Sequence, residues 1–102
     1  MKIIISEEAH KDLEDIFKYI AKDSLKYAKI TIDNIYNRIY NLSEFPYIGS
    51  YVRYTNNKMC REIIYKSYKI IYTISTEKRE INVHFIIHKS RNFKSIFSKY
   101  QF

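Results

Sequence analysis

The only Gly and the only Pro of the chain fall in one heptapeptide, FPYIGSY, at residues 45–51. Gly and Pro are the strongest local breakers of regular structure, so the segments on either side run long and unbroken. The apolar period changes across this point: before it the spacing is three or four, and after it the spacing is two. A chain patterned this way folds as a helical part followed by a sheet.

The first half reads as a short strand and two helices. Lys2–Ile5 is a β-branched strand, and Ser6 is placed to cap a helix whose first turn carries Glu7 and Glu8 against the helix dipole. Ala9, Leu13, Ile16, Phe17 and Ile20 form the apolar stripe of that helix. Lys22-Asp23-Ser24 ends it, with Ser24 capping a second helix striped by Ala28, Ile32, Ile35, Ile39 and Leu42. Two amphipathic helices on so short a link predict an antiparallel hairpin. The carboxylates Glu7, Glu8, Asp12, Glu14 and Asp15 read as its solvated face.

Beyond Gly49 the apolar runs are Met59–Tyr65, Tyr68–Ser75 and Glu80–His88. A four-residue loop at Thr76–Arg79 sets Ser75 opposite Glu80, then Ile74 opposite Ile81, Tyr72 opposite Val83, Ile70 opposite Phe85 and Tyr68 opposite Ile87. Every pair after the first is apolar or aromatic, and a slip of one residue would invert both faces. The helices are expected to cover this face. The other face then carries Lys69, Ile71, Thr73, Asn82, His84, Ile86 and His88, and stays open. Phe93, Ile96, Phe97 and Tyr100 predict a short terminal helix. The expected fold is α+β, in the order β-α-α-β-β-β with a terminal α: a helical hairpin on one face of a small, mainly antiparallel sheet.

A length of 102 residues with 46% hydrophobic and 28% charged residues fits a single globular domain over residues 1–102. No apolar run is long enough to cross a bilayer, and Ser6-Glu7-Glu8 directly after Met1–Ile5 predicts no signal peptide. A lone Cys60 makes no internal disulfide and suits a reducing cytoplasm. It reads as a buried strand residue, not a nucleophile. One Cys and three His predict no metal site and no cofactor. The net charge of +7 is uneven: residues 1–50 hold seven Lys and Arg against eight Asp and Glu, and residues 51–102 hold eleven against three. The basic second half predicts a polyanionic or acidic partner.

Four segments, in this order and on these elements, resemble the RelE/ParE superfamily, the toxin half of bacterial type II toxin–antitoxin pairs. They are EEAHKDLEDIFKYIAKDSLKYA, LSEFPYIGSYVR, CREIIYKSYKIIYTI and FIIHKSRNF. The resemblance implies a toxin active in plasmid stabilisation or stress response and neutralised by an acidic antitoxin. ParE-like members act on DNA gyrase. RelE-like members are mRNA interferases, metal-independent endoribonucleases that cut mRNA on the ribosome. HKSR, the long helices and FPYIG look more like the ParE branch. Glu62 and Ile64 stand where RelE-like nucleases carry lysines, and Phe97 where some carry tyrosine. A third reading is a non-toxic module that binds nucleic acid or sequesters antitoxin.

Metal-free RNA cleavage needs an acid or base near neutral pH and cations for the phosphorane charge. If the chain is a nuclease, His88, Arg91 and Arg61 are its expected catalytic residues. Lys69, Lys89, Arg91 and His84 are the expected contacts to substrate or target. His84, one step deeper in the strand, reads first as structural. Arg61 depends on its hairpin. A two-residue turn at Lys66-Ser67 would set it opposite Tyr72 under the helices, and a three-residue loop would set it opposite Thr73 on the open face. Lys-Ser is a poor type I′ pair and burying an unpaired Arg is costly, which favours the open face. The eleven Tyr are expected mainly in core or rim packing.

Overall fold

The computed structural model describes residues 1–91 and 93–97; the expected place of Tyr100 in the last helix lies outside them. The elements run β1 (Lys2–Ile5), α1 (Glu7–Ala21), α2 (Leu25–Asn41), β2 (Ser50–Tyr51), β3 (Cys60–Tyr65), β4 (Tyr68–Ser75), β5 (Glu80–His88) and α3 (Phe93–Phe97). Both predicted caps form. Ser6 accepts the Ala9 N–H at 3.0 Å and Ser24 accepts the Tyr27 N–H at 3.0 Å. The five strands are ordered β1-β5-β4-β3-β2, with β1 parallel to β5 and every other pair antiparallel. The two-residue β2 is the one strand the apolar pattern did not announce, being too short to show a period.

The β4–β5 register agrees with expectation from Ser75↔Glu80 to Tyr72↔Val83, then shifts by one at a bulge. Past it the partners are Ile71↔Phe85, Ile70↔Ile86, Lys69↔Ile87 and Tyr68↔His88. The bulge leaves His84 as the extra residue and exchanges the faces of everything that follows. Ile86, not Phe85 or Ile87, joins Ala9, Leu13, Ile35, Ile39, Tyr72 and Val83 under the helices. Phe85 and Ile87 lie on the far face, in a second apolar cluster with Val52, Cys60 and Ile71, against which Ile96 of α3 packs. The far face is therefore partly covered. The physical reason lies in α1. β1 ends where Ile5 pairs with Val83, and α1 supplies the partners beyond: Ser6 Oγ donates to the His84 carbonyl at 2.9 Å, and Asp12 Oδ2 accepts the Ile86 N–H at 3.0 Å.

The β3–β4 hairpin closes on the two-residue turn Lys66-Ser67, so Arg61 faces Tyr72 and not Thr73. The favoured open-face placement is overturned. Only Lys66 of the pair takes a positive φ, 52°, so the demand of a type I′ turn on both centres does not apply.

Tyr72 is fully buried yet keeps its hydroxyl satisfied by the FPYIG turn. It donates to the Pro46 carbonyl at 2.8 Å and accepts the Gly49 N–H at 3.0 Å. The turn is thereby fastened to the sheet, and a Cβ on Gly49 would meet Tyr72 Oη at 2.5 Å and the Glu62 carbonyl at 2.8 Å. Two variants test this fastening by urea denaturation. Tyr72→Phe leaves the Gly49 N–H unpaired and lowers stability by about 1–3 kcal/mol. Gly49→Ala overpacks the same point and costs about 1–3 kcal/mol.

Candidate functional site

β5 delivers the HKSR segment to one end of the sheet. The chain turns there because the Lys89 N–H donates to the Ser67 carbonyl (2.7 Å) and the Arg91 N–H to the His88 carbonyl (3.0 Å). Lys89 and Arg91 are exposed. The His88 ring is exposed and edge-on to Tyr68, with centroids 5.7 Å apart. Its Nδ1 accepts the Ser90 N–H at 3.1 Å and lies 2.7 Å from Ser90 Oγ. Because a backbone N–H can only donate, Nδ1 is the acceptor and the neutral ring carries its proton on Nε2. That leaves Nε2 as the nitrogen available to a target.

His88 opens onto a groove of about 750 Å³ between the helical hairpin and the sheet end, shared with Asp12, Asp15, Tyr19, Tyr27, Lys66 and Arg91. Lys66 Nζ donates to the Tyr27 hydroxyl at 3.0 Å, and this bond holds the Tyr27 pKa below the usual tyrosine value. Asp12 is displaced upward by its burial, against the opposing pull of the Ile86 N–H. Asp12 is thus no part of a solvated helix face. Its bond to β5 was hidden because helical spacing alone cannot say which carboxylate meets a strand.

The expected site residues do not converge. Lys69 lies on the far face with its Nζ 3.8 Å from Glu62, so His88 and Lys69 stand on opposite sides of the sheet. His84 is half-buried on the far face with Nε2 2.8 Å from Thr73 Oγ1. Arg61 is committed to the turn before β2: Nη1 donates to the carbonyls of Tyr47 (3.0 Å) and Gly49 (2.8 Å), and the guanidinium lies over the rings of Tyr51 (4.4 Å) and Tyr47 (5.2 Å). Those carbonyls offset part of the cost of placing Arg61 on the Tyr72 side, where its buried Nε meets no acceptor among the described residues. Two groups were missed: the Tyr27–Lys66 pair, and the far-face hollow of about 270 Å³ where Tyr51, Arg53 and Tyr54 meet Glu62 and Lys69. Six tyrosines, Tyr19, Tyr27, Tyr40, Tyr47, Tyr51 and Tyr54, are exposed, and four of these make rim contacts: Tyr27 with Lys66, Tyr40 with Tyr36, and Tyr47 and Tyr51 with Arg61. Cys60 is fully buried, and burial pushes its thiol up to about 11. Among the described residues no group of three His, Cys, Asp or Glu could hold a metal ion, and no helix is long and apolar enough to cross a membrane.

Residues 3–93 match the family model of the ParE toxin of the type II toxin–antitoxin system parDE. The chain belongs to this family. No curated protein matches its sequence significantly. The fold of this ParE-family chain is similar to that of three solved structures. The chromosomal ParDE system of P. aeruginosa gives a TM-score of 0.70 at 16% identity, covering 86% of this chain and 95% of that one. The toxin–antitoxin complex RelBE2 of Mycobacterium tuberculosis gives 0.63 at 16% identity, with 85% and 95% covered. The isolated RelE toxin of E. coli gives 0.64 at 17% identity, with 96% and 92% covered.

Two measurements separate structural from surface roles in this ParE-family chain. Arg61→Ala should destabilise the fold by about 1.5–3 kcal/mol, the loss of hydrogen bonds from a charged donor. Arg91→Ala, at an exposed position, should stay within about 0.5 kcal/mol. The second measurement concerns pH. Burial lowers the His84 pKa, with Glu8 opposing, so the unfolded chain takes up a proton there before the folded one does. Stability is therefore intact above the ordinary histidine value of about 6.5 and falls as pH drops below it. Asp12 has the opposite sign and acts at lower pH, its raised pKa costing stability as pH climbs from the ordinary carboxylate range. Denaturation at pH 7.5 and pH 5.5 should show the loss in wild type and a smaller loss in His84→Gln.

Proposed function

We propose that this ParE-family toxin acts on DNA gyrase, is neutralised in the cytoplasm by an acidic antitoxin, and meets its target through Lys89 and Arg91, with His88 beside them. The observation that carries the reading is the dispersal of the groups that RNA cleavage would need. His88 opens on the helix side of the sheet, Lys69 is beside Glu62 on the other, and Arg61 Nη1 is occupied by two carbonyls. A metal-free phosphoryl transfer asks these groups to meet around one phosphate within hydrogen-bond reach. Binding a protein target asks only for exposed, correctly spaced cations, which Lys89 and Arg91 supply. The family match to the ParE toxin points the same way, and the ParDE and RelBE2 structures are both toxin–antitoxin assemblies.

A ribosome-dependent endonuclease is the second reading, favoured by one feature. Tyr51 and Tyr54 are exposed beside Arg53 and Lys69, an arrangement of stacking rings and cations suited to single-stranded RNA. Expressing the chain alone and assaying gyrase supercoiling beside mRNA cleavage separates the two. The expected outcome is loss of supercoiling without cleavage. Lys89→Ala with Arg91→Ala should weaken gyrase inhibition, and His88→Ala should change it little. If cleavage is seen instead, His88→Ala should slow it by roughly 10²–10⁴-fold, and Arg91→Ala should slow it too. A folded His88→Ala, Arg91→Ala double variant with full toxicity would return HKSR to ordinary surface.

The antitoxin should bind less tightly as salt rises, because the charge excess of the toxin lies beyond residue 50. Apolar anchors retain part of the affinity. Titration calorimetry from low salt to about 1 M checks this, and an unchanged affinity would remove charge as a driver.

A further inference from the structure

Tyr27 and Thr31 stand four residues apart near the start of α2, so they share one face of that helix. The β3–β4 turn comes up against this face. Lys66 takes its positive φ there, and the next residue pins the turn, the Ser67 carbonyl accepting the Lys89 N–H at 2.7 Å. From this position Lys66 Nζ donates to the Tyr27 hydroxyl at 3.0 Å and lies 5.1 Å from the Tyr27 ring centre and 5.6 Å from that of Tyr65. Tyr65 is itself tied to α2, its hydroxyl accepting Asn34 Nδ2 at 2.9 Å. The ammonium is therefore held between two rings and aimed at one phenol oxygen.

A phenol is a weak nucleophile until it sheds its proton, and an adjacent cation favours that loss. Lys66 does so at Tyr27, and Thr31 adds to it. Thr31 is buried, and its Oγ1 has no hydrogen-bond partner among the described residues. A negative oxygen on Tyr27 gives that orphaned hydroxyl something to donate to. The same bond holds the Lys66 amine protonated above the ordinary lysine value, so the oxygen of the pair, and not the nitrogen, keeps an electron pair for attack. The other exposed tyrosines meet cations differently: Lys22 lies over the face of Tyr19 at 6.0 Å, and Arg61 over the faces of Tyr47 and Tyr51.

Tyr27 also has room in front of it, the groove of about 750 Å³. Facing it across the groove are Tyr19, Asp12 and Asp15 of α1, and Tyr68, His88 and Arg91 from the sheet end. Asp12 is seven residues along α1 from Tyr19, about 10 Å at the helical rise, which sets it toward the far end from Lys66. We propose that the Tyr27 hydroxyl is a covalent modification site, the nucleophile of this chain toward activated acyl donors, readied by Lys66 and Thr31. Tyr27 Oη, its proton lost to water, bonds to the acyl carbon. The bond from that carbon to the leaving group breaks, and the leaving group keeps the electron pair. The product is an aryl ester whose acyl group stands in the groove that His88 shares. The inference does not depend on which target the toxin meets.

The test treats the full chain with N-acetylimidazole at pH 7.5 and follows the acetyl group at each tyrosine by peptide mass spectrometry. Hydroxylamine separates the two kinds of label, since it strips acetyl from a phenol oxygen and leaves it on a lysine nitrogen. Exposure alone ranks Tyr19 (70%) and Tyr51 (63%) ahead of Tyr27 (45%). Tyr27 should instead react at least about threefold faster than either. Lys66→Gln should bring Tyr27 down to their rate, and Lys66→Arg, which keeps a cationic donor, should retain most of the advantage. Thermal melts show whether the variants are folded. Where Lys66→Gln is not, about 1 M salt on the wild type should shrink the advantage, because an exposed pair is screened there. An order that follows exposure, or label on Lys66 ahead of Tyr27, would overturn the proposal. So would an unchanged Tyr27 rate in folded Lys66→Gln, or, in its absence, an advantage that salt leaves intact.

Discussion

The bulge at His84 is the constraint on which the rest of this structure depends. Up to Val83, β5 is an interior strand between β1 and β4. Beyond Val83 it has lost β1 and must find other partners for its outer backbone groups, since unpaired buried groups are costly. α1 supplies them through Ser6 and Asp12, at the His84 carbonyl and the Ile86 N–H. The extra residue lets the strand keep that docking while still pairing with β4. Its consequence reaches well beyond the bulge. β5 buries Ile81, Val83 and Ile86 under the hairpin and Phe85 and Ile87 on the far side, so the sheet carries a core on each face.

The same shift explains where the charged side chains are placed. Without it His88 would share the far face with Lys69 and Thr73, and a cluster of imidazole and cations could form there. With it His88 faces Tyr68 and the groove of the hairpin, and Lys69 is left with Glu62. The basic half of the chain is thus divided between two surfaces. One is the HKSR turn beside Tyr27 and Lys66, and the other is the hollow around Tyr51, Arg53 and Tyr54. Arg61 lies over the Tyr51 ring at the rim of the second, and its guanidinium fastens the turn that Tyr72 fastens from the other side. Tyr72 and Arg61 face each other across the β3–β4 ladder, and together they decide the path of residues 46–51.

Local patterning in the sequence determined the helices, their Ser6 and Ser24 caps, the three long strands, the four-residue loop at Thr76–Arg79 and the hairpin register as far as Val83. Each of these follows from neighbours in the chain: apolar spacing, a capping hydroxyl, or turn length. Family resemblance was legible as well, because its segments are contiguous. Tertiary structure alone decided the faces of Phe85, Ile86, Ile87 and His88, the burial of Asp12 against β5, and the side taken by Arg61. The reason is that each depends on a partner far away in the chain. Asp12 and Ile86 are 74 residues apart, and Ser6 and His84 are 78. Strand alternation has no term for a helix that replaces a missing strand, so a period-two reading carries on past the one residue where the fold departs from it.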